Sequence, residues 1–138
     1  REGGISMTIK KAVALLLAVM LLAASTAFAA NYTEGRSNGG TQGTCTCSGS
    51  ITLSNGTRDS VKGTTTSGAK GKVSVIAKIY WSNGETTVNR SKSSNIKDTY
   101  TASATVYADN QYATSGLATH AYTSEDYGTW YGTTSKEY

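Results

Sequence analysis

Proline is absent from this 138-residue chain, phenylalanine and histidine each occur once, and cysteine occurs twice. Without proline, strand edges lose one common guard against pairing with another chain, and lysines such as Lys62, Lys78 and Lys97 are left to serve. One histidine and two cysteines cannot supply the four ligands of a structural zinc without carboxylates or a second chain, so neither metal nor cofactor is expected. Aliphatic side chains are scarce too: residues 30–138 hold eleven Ile, Leu and Val and no Phe. Such poverty approaches the composition of disordered chains. What is present points the other way. Nine Tyr, two Trp and abundant Thr favour strands and bury large areas, and low net charge argues against an extended polyelectrolyte. A thin but folded core shared among Tyr, Trp, Val and Ala is expected.

The N-terminus sets the compartment. Lys10 and Lys11 precede the apolar run Ala12–Ala24, and Ala27-Phe28-Ala29 supplies an A-x-A cleavage site, so residues 7–29 read as a secretory signal peptide. The run is short for a membrane span and no Lys/Arg cluster follows it. Residues 1–6 (Arg-Glu-Gly-Gly-Ile-Ser) have no place in such a peptide; purine-rich codons for them resemble a bacterial ribosome-binding site, and a translated leader before Met7 is expected. Removing residues 1–29 leaves 109 residues, the size of one domain, and lowers the formal charge from +4 to +2. This small surplus is dispersed and makes no basic stripe of the kind that binds nucleic acid.

Residues 30–43 are Gly-rich and polar without periodicity, which predicts a flexible linker before a single domain over 44–138. Within that domain, segments rich in Thr, Val, Ile and Tyr alternate with turn chemistry. Thr44–Leu53 and Arg58–Ser67 flank Asn55-Gly56, a type I′ hairpin signal. Gly68 to Gly71 breaks the pattern. In Lys72–Trp81, Val73, Val75, Ala77, Ile79 and Trp81 share one face, with Ile76 the apolar exception on the other. Asn83-Gly84 predicts a return along Glu85–Arg90, residues 90–95 a polar loop, and Ile96–Ala108, Tyr112–Ser124 and Thr129–Tyr138 the remaining strands. About seven strands and no helical stripe predict an all-β fold, a small antiparallel β-sandwich with an immunoglobulin-like arrangement favoured, preceded by the signal-peptide helix. The Cys…Trp…Cys spacing of true immunoglobulin domains is missing.

Cys45 and Cys47 stand one residue apart. On a strand both thiols point to the same face, with Cα atoms roughly 6.6 Å apart, near the upper end of disulfide geometry. In an oxidising exterior a local disulfide is the first expectation, bonds to a second molecule the next, and a packed free pair the plain alternative.

In the aromatic stretch His120–Tyr138, Tyr127, Trp130 and Tyr131 are the binding residues to consider, because ring faces bury area while hydroxyls hydrogen-bond. Against this, a domain short of Leu and Phe needs Trp81 and Trp130 inside. His120 shares a strand face with Ala118 and Tyr122, the setting of a packed histidine. No G-x-S-x-G elbow, separated carboxylate pair or phosphate loop is present, so no catalytic residue is assigned and no enzyme is expected.

The layout, with its signal peptide, Ser/Thr-rich β domain, central "VSVIAKIYW" strand and "THAYTSEDYGTWYGTTSKEY" end, resembles small secreted proteins of Gram-positive bacteria. The resemblance implies secretion and a β domain, and no catalytic residue. The expected role is a secreted, non-catalytic interaction or structural domain at or near the bacterial cell surface, with a protein or glycan partner or self-association; a bacteriocin-like or toxin effector is the alternative. No nucleic acid partner and no membrane span after cleavage are expected. Edman sequencing of the exported chain should return Ala-Asn-Tyr-Thr, starting at Ala30; a chain that keeps residues 7–29 contradicts the signal-peptide reading.

Overall fold

Alternation of small or apolar residues with polar ones sets the strands that line the interior. The computed structural model describes residues 31–138, so the leader over 1–6 and the signal-peptide helix over 7–29 lie outside the described residues. Among the described residues seven strands run in chain order: β1 (Tyr32–Arg36), β2 (Asn38–Gly39), β3 (Thr46–Ser54), β4 (Ser60–Ser82), β5 (Thr87–Tyr107), β6 (Ala113–Ser124) and β7 (Gly128–Glu137). All pairings are antiparallel and join one continuous sheet in the order β1-β3-β4-β6-β7-β2, with β5 on the other edge of β4. Because β1 and β2 belong to one run of chain joined at Ser37, the first and last strands of that order are neighbours. The sheet thus curls into a nearly closed barrel. The all-β antiparallel class agrees with the sequence, and the strands join in one curled sheet. Among the described residues no helix is long and apolar enough to cross a membrane.

The curl originates in β4. At about 3.3 Å per residue its 23 residues would span roughly 75 Å if straight, far beyond a usual strand. Its first half pairs with β3 and its second with β6, while β5 follows it on the opposite edge throughout. Between the halves, β4 takes the five steps from Thr66 to Gly71 while β5 moves only from Thr101 to Thr99. Just beyond, β5 places Asp98 at a φ of 52° within its own extra residue. Extra residues on one strand bend and twist a ladder, and here they turn the corner. Corner carbonyls are satisfied by side chains: the Ser67 hydroxyl donates to Ala69 O at 2.8 Å, and the Tyr122 hydroxyl to Lys70 O at 3.2 Å. The break read at Gly68–Gly71 is therefore a bend inside one strand.

Two further expectations are corrected. Residues 31–43 carry β1 and β2 instead of a flexible linker, because their backbone groups find partners: β1 pairs along β3, Thr41 N–H reaches Glu125 O at 3.0 Å, and Gln42 N–H reaches Asp126 O at 2.7 Å. Residues 90–95 form ladder within β5 rather than a loop, since Arg90–Asn95 pair with Ile79–Ser74.

The interior gathers Val61, Val73, Val75, Ala77, Ile79 and Trp81 from β4, Ala102, Ala104 and Val106 from β5, Ala118, His120 and Tyr122 from β6, and Trp130 from β7. Ile76 lies outside at 47% exposure, as its phase dictates. Few of these residues are large, so the opposing halves approach closely wherever a ring fills the gap. Gly49 of β3 lies against the His120 ring, and a methyl group there would overlap it. At the β6–β7 turn, Gly128 adopts a φ of 83° beneath Asn38 O, a conformation and contact that L side chains resist.

Gly49→Ala is expected to lower stability by roughly 2 kcal/mol through overpacking. Denaturant unfolding of both proteins checks this, and an unchanged midpoint would mean that the ring has room to move.

Candidate functional site

Strand alternation separates the three aromatic binding residues considered from the sequence. On β7, Trp130 points inward and is 7% exposed, whereas Tyr131 points outward at 77%. Tyr127, in the preceding turn, is half-buried against the core, and its N–H donates to Ser124 Oγ at 3.0 Å. They do not share a face. Trp81, 3% exposed, is also buried.

The exposed face that carries Tyr131 is a flat array read directly from the pairing. Asn95, Ser74, Ala121 and Tyr131 stand in one row across β5, β4, β6 and β7; Ser93, Ile76, Thr119 and Thr133 form the next, and Ser91, Lys78, Leu117 and Ser135 a third. A shallow hollow of about 200 Å³ between Lys72, Asn95, Thr123 and Tyr131 opens on it. Hydroxyls and one ring on this sheet can contact a partner.

β5 contributes a sheet edge. Among the described residues β4 is its one strand partner, and side chains reach part of its backbone, the Thr99 hydroxyl donating to Thr101 O at 3.3 Å. The phase of its first half matches the interior face, yet Arg90, Lys92 and Ile96 remain exposed there. Arg90 bridges the open side: its guanidinium lies 2.7 Å from Asp109 Oδ1, donates to Tyr107 O at 3.3 Å and sits 5.7 Å from the Trp81 ring centre. The second half, Thr99–Tyr107, is uncharged and presents Tyr100, Thr101, Ser103 and Tyr107 to solvent.

A second hollow, of about 400 Å³, lies where the β3–β4 and β5–β6 turns meet Tyr138; Asn55, Asp59, Gln111 and Tyr112 line it with that residue. Asp59 is 3% exposed, and its Oδ2 accepts from Ala113 N–H at 2.9 Å. The turns are stitched by Asp59 N–H to Asn110 O at 3.1 Å, Ala108 N–H to Asp59 O at 2.9 Å and Arg58 Nε–H to Ala108 O at 2.8 Å. The Tyr138 hydroxyl donates to Ser60 O at 2.5 Å; burial first, then the nearby Asp59 carboxylate, raises its pKa. The members of this cluster are far apart along the chain, so no contiguous sequence pattern announces it. Its one local signal was two polar turns, each with an asparagine.

Cys45 and Cys47 are free thiols with sulfurs 3.9 Å apart, in contact as same-face geometry on a strand requires. Cys47 is fully buried and Cys45 half-buried; burial, then the neighbouring Cys45, pushes the Cys47 thiol up to about 12. Ser37 clasps the pair, accepting from Cys45 N–H at 2.9 Å through its hydroxyl oxygen and donating its own N–H to Cys45 O at 3.0 Å. Among the described residues no three His, Cys, Asp or Glu side chains gather to hold a metal.

His120 sits at the centre of the barrel, 1% exposed. Because the Thr65 hydroxyl donates to Ser74 O at 2.9 Å, it must accept from His120 Nδ1–H at 2.8 Å. His120 Nε2 then accepts from the Thr134 hydroxyl at 2.8 Å, which makes the ring neutral and saturated. Its ring centre lies 6.4 Å from that of Trp130. Burial lowers its pKa from 6.5 to about 4. A histidine so enclosed ties β4, β6 and β7 together and reaches no external substrate.

No protein-family model, no curated protein and no solved structure matches the chain, so the residues and their geometry carry the functional argument.

The lowered pKa has a definite sign. The unfolded chain takes up the His120 proton below pH 6.5 while the folded one resists until about 4, so stability is full above pH 6.5 and falls as pH drops through that interval. The expected loss is roughly 3 kcal/mol. Urea unfolding at pH 7, 5.5 and 4 checks it against His120→Gln, whose slope in this window should be shallower by that amount; equal slopes would contradict a buried neutral ring.

Proposed function

We propose that the mature chain is a secreted, non-catalytic interaction or structural domain acting at or near the bacterial cell surface. The observation that supports this is the rim of β5: a long strand with one strand partner among the described residues offers backbone donors and acceptors to another chain. Arg90, Lys92 and Lys97 guard its first half by charge, and the uncharged half over 99–107 is the part suited to pairing with a protein partner or a second copy. The flat hydroxyl-rich face around Tyr131 extends the contact surface. We take the two halves of the curled sheet, on either side of the β4 corner, as the two layers of an immunoglobulin-like arrangement. In an oxidising exterior Cys45 and Cys47 then close to a local disulfide.

Light scattering coupled to gel filtration tests the reading. Mature protein should grow in mass with concentration, and Thr101→Lys with Ser103→Lys, which adds charge beside that rim, should stay monomeric. A monomer at every concentration removes the support from self-association. Leakage of liposomes or growth arrest at low dose would instead favour the bacteriocin-like effector.

A further inference from the structure

The hollow beside Asp59 has the composition and rigidity of a ligand site, and it is separate from the β5 rim. It is an open depression of about 400 Å³, accessible to a ligand that lies along the surface. Tyr112 is 67% exposed, so its ring is available to lie against a ligand, and Tyr138 at 39% forms the opposite wall. Asn55 and Gln111 offer amide donors and acceptors. Asp59 supplies the fixed acceptor, its carboxylate held in place by Ala113 N–H at 2.9 Å to Oδ2. Cross-bonds between the turns hold these groups before any ligand arrives, as does the Asn110 side chain, which accepts from Tyr112 N–H at 2.9 Å.

Ring faces, neutral amides and a single buried carboxylate suit a molecule with apolar C–H faces and many hydroxyls. A cationic ligand fits less well. Arg58 adjoins Asp59 in the chain and lies 3.9 Å from Asp109, bringing positive charge to the same turn. We propose that this hollow binds a neutral saccharide, one hydroxyl donating to the Asp59 carboxylate and one ring face lying on Tyr112. The inference goes beyond the role proposed from the β5 rim, and either can fail without the other.

The test is a two-dimensional amide NMR titration of the mature protein with three probes, cellobiose, maltose and N,N′-diacetylchitobiose, and with methylammonium chloride as the cation arm. At least one disaccharide should shift the amides of residues 55–59 and 110–113 saturably, leaving those around Tyr131 in place. Tyr112→Ala, whose side chain is exposed, should keep the melting temperature and weaken binding about tenfold. Asp59→Asn should weaken it by a similar factor. Absence of shifts with all three sugars, shifts centred elsewhere, or a response to methylammonium alone would each overturn the proposal, as would full affinity in Tyr112→Ala.

Discussion

One strand holds this molecule together. β4 is paired on both edges along nearly its whole length, to β3 and then β6 on one side and to β5 on the other, so both halves of the barrel share its backbone. The corner near Gly68–Gly71 is what lets a single strand serve both. Without it, the inward residues Val61 and Thr65 would lie far from Val75 and His120 along a straight ribbon, and neither set would be covered. The run of chain through Ser37 closes the other side by joining β1, bonded to β3, to β2, bonded to β7.

A barrel with so few aliphatic residues needs another way to fill its interior. Rings from one half reach glycines of the other, as His120 does at Gly49, and polar atoms brought inside are paired: Thr65 and Thr134 satisfy both nitrogens of His120. Burying an imidazole stabilises only while it stays neutral, which makes the centre of the barrel sensitive to acid. The same thinness leaves the first half of β5 uncovered. Of the interior-phase positions there, Arg90, Lys92 and Ser94 tolerate water while Ile96 is left exposed, and Arg90 bridges the gap with hydrogen bonds.

Much of this was legible in the sequence wherever alternation was clean. Val73 to Trp81 announced a strand with its correct inner face, Asn55-Gly56 and Asn83-Gly84 marked two of the hairpins, although Asn55 and Gly56 lie in a five-residue loop without the positive φ of a type I′ turn, and the need for core volume sent Trp81 and Trp130 inside. Legibility failed where pairing, not side-chain pattern, decides the backbone. The Gly-rich stretch from Asn31 becomes ordered because β3 and β7 supply hydrogen-bond partners, and Arg90–Asn95 extends because β4 lies alongside. The aromatic tail misled for a simpler reason: neighbours on a strand face opposite ways, so Trp130 and Tyr131 cannot serve one surface. The Asp59 hollow was invisible because turns some fifty residues apart build it.

The β5 rim, flat outer face and small hollow are all surface features set by how far β4 and β5 curl, and all depend on the two halves behaving as one body. Native-state amide hydrogen exchange measures that directly. The account predicts that β4 amides over 61–66 and 73–80 exchange only through global unfolding, with a single free energy, while outward-facing amides of β5 exchange rapidly. Two distinct classes of protection, one on each side of the corner, would contradict it.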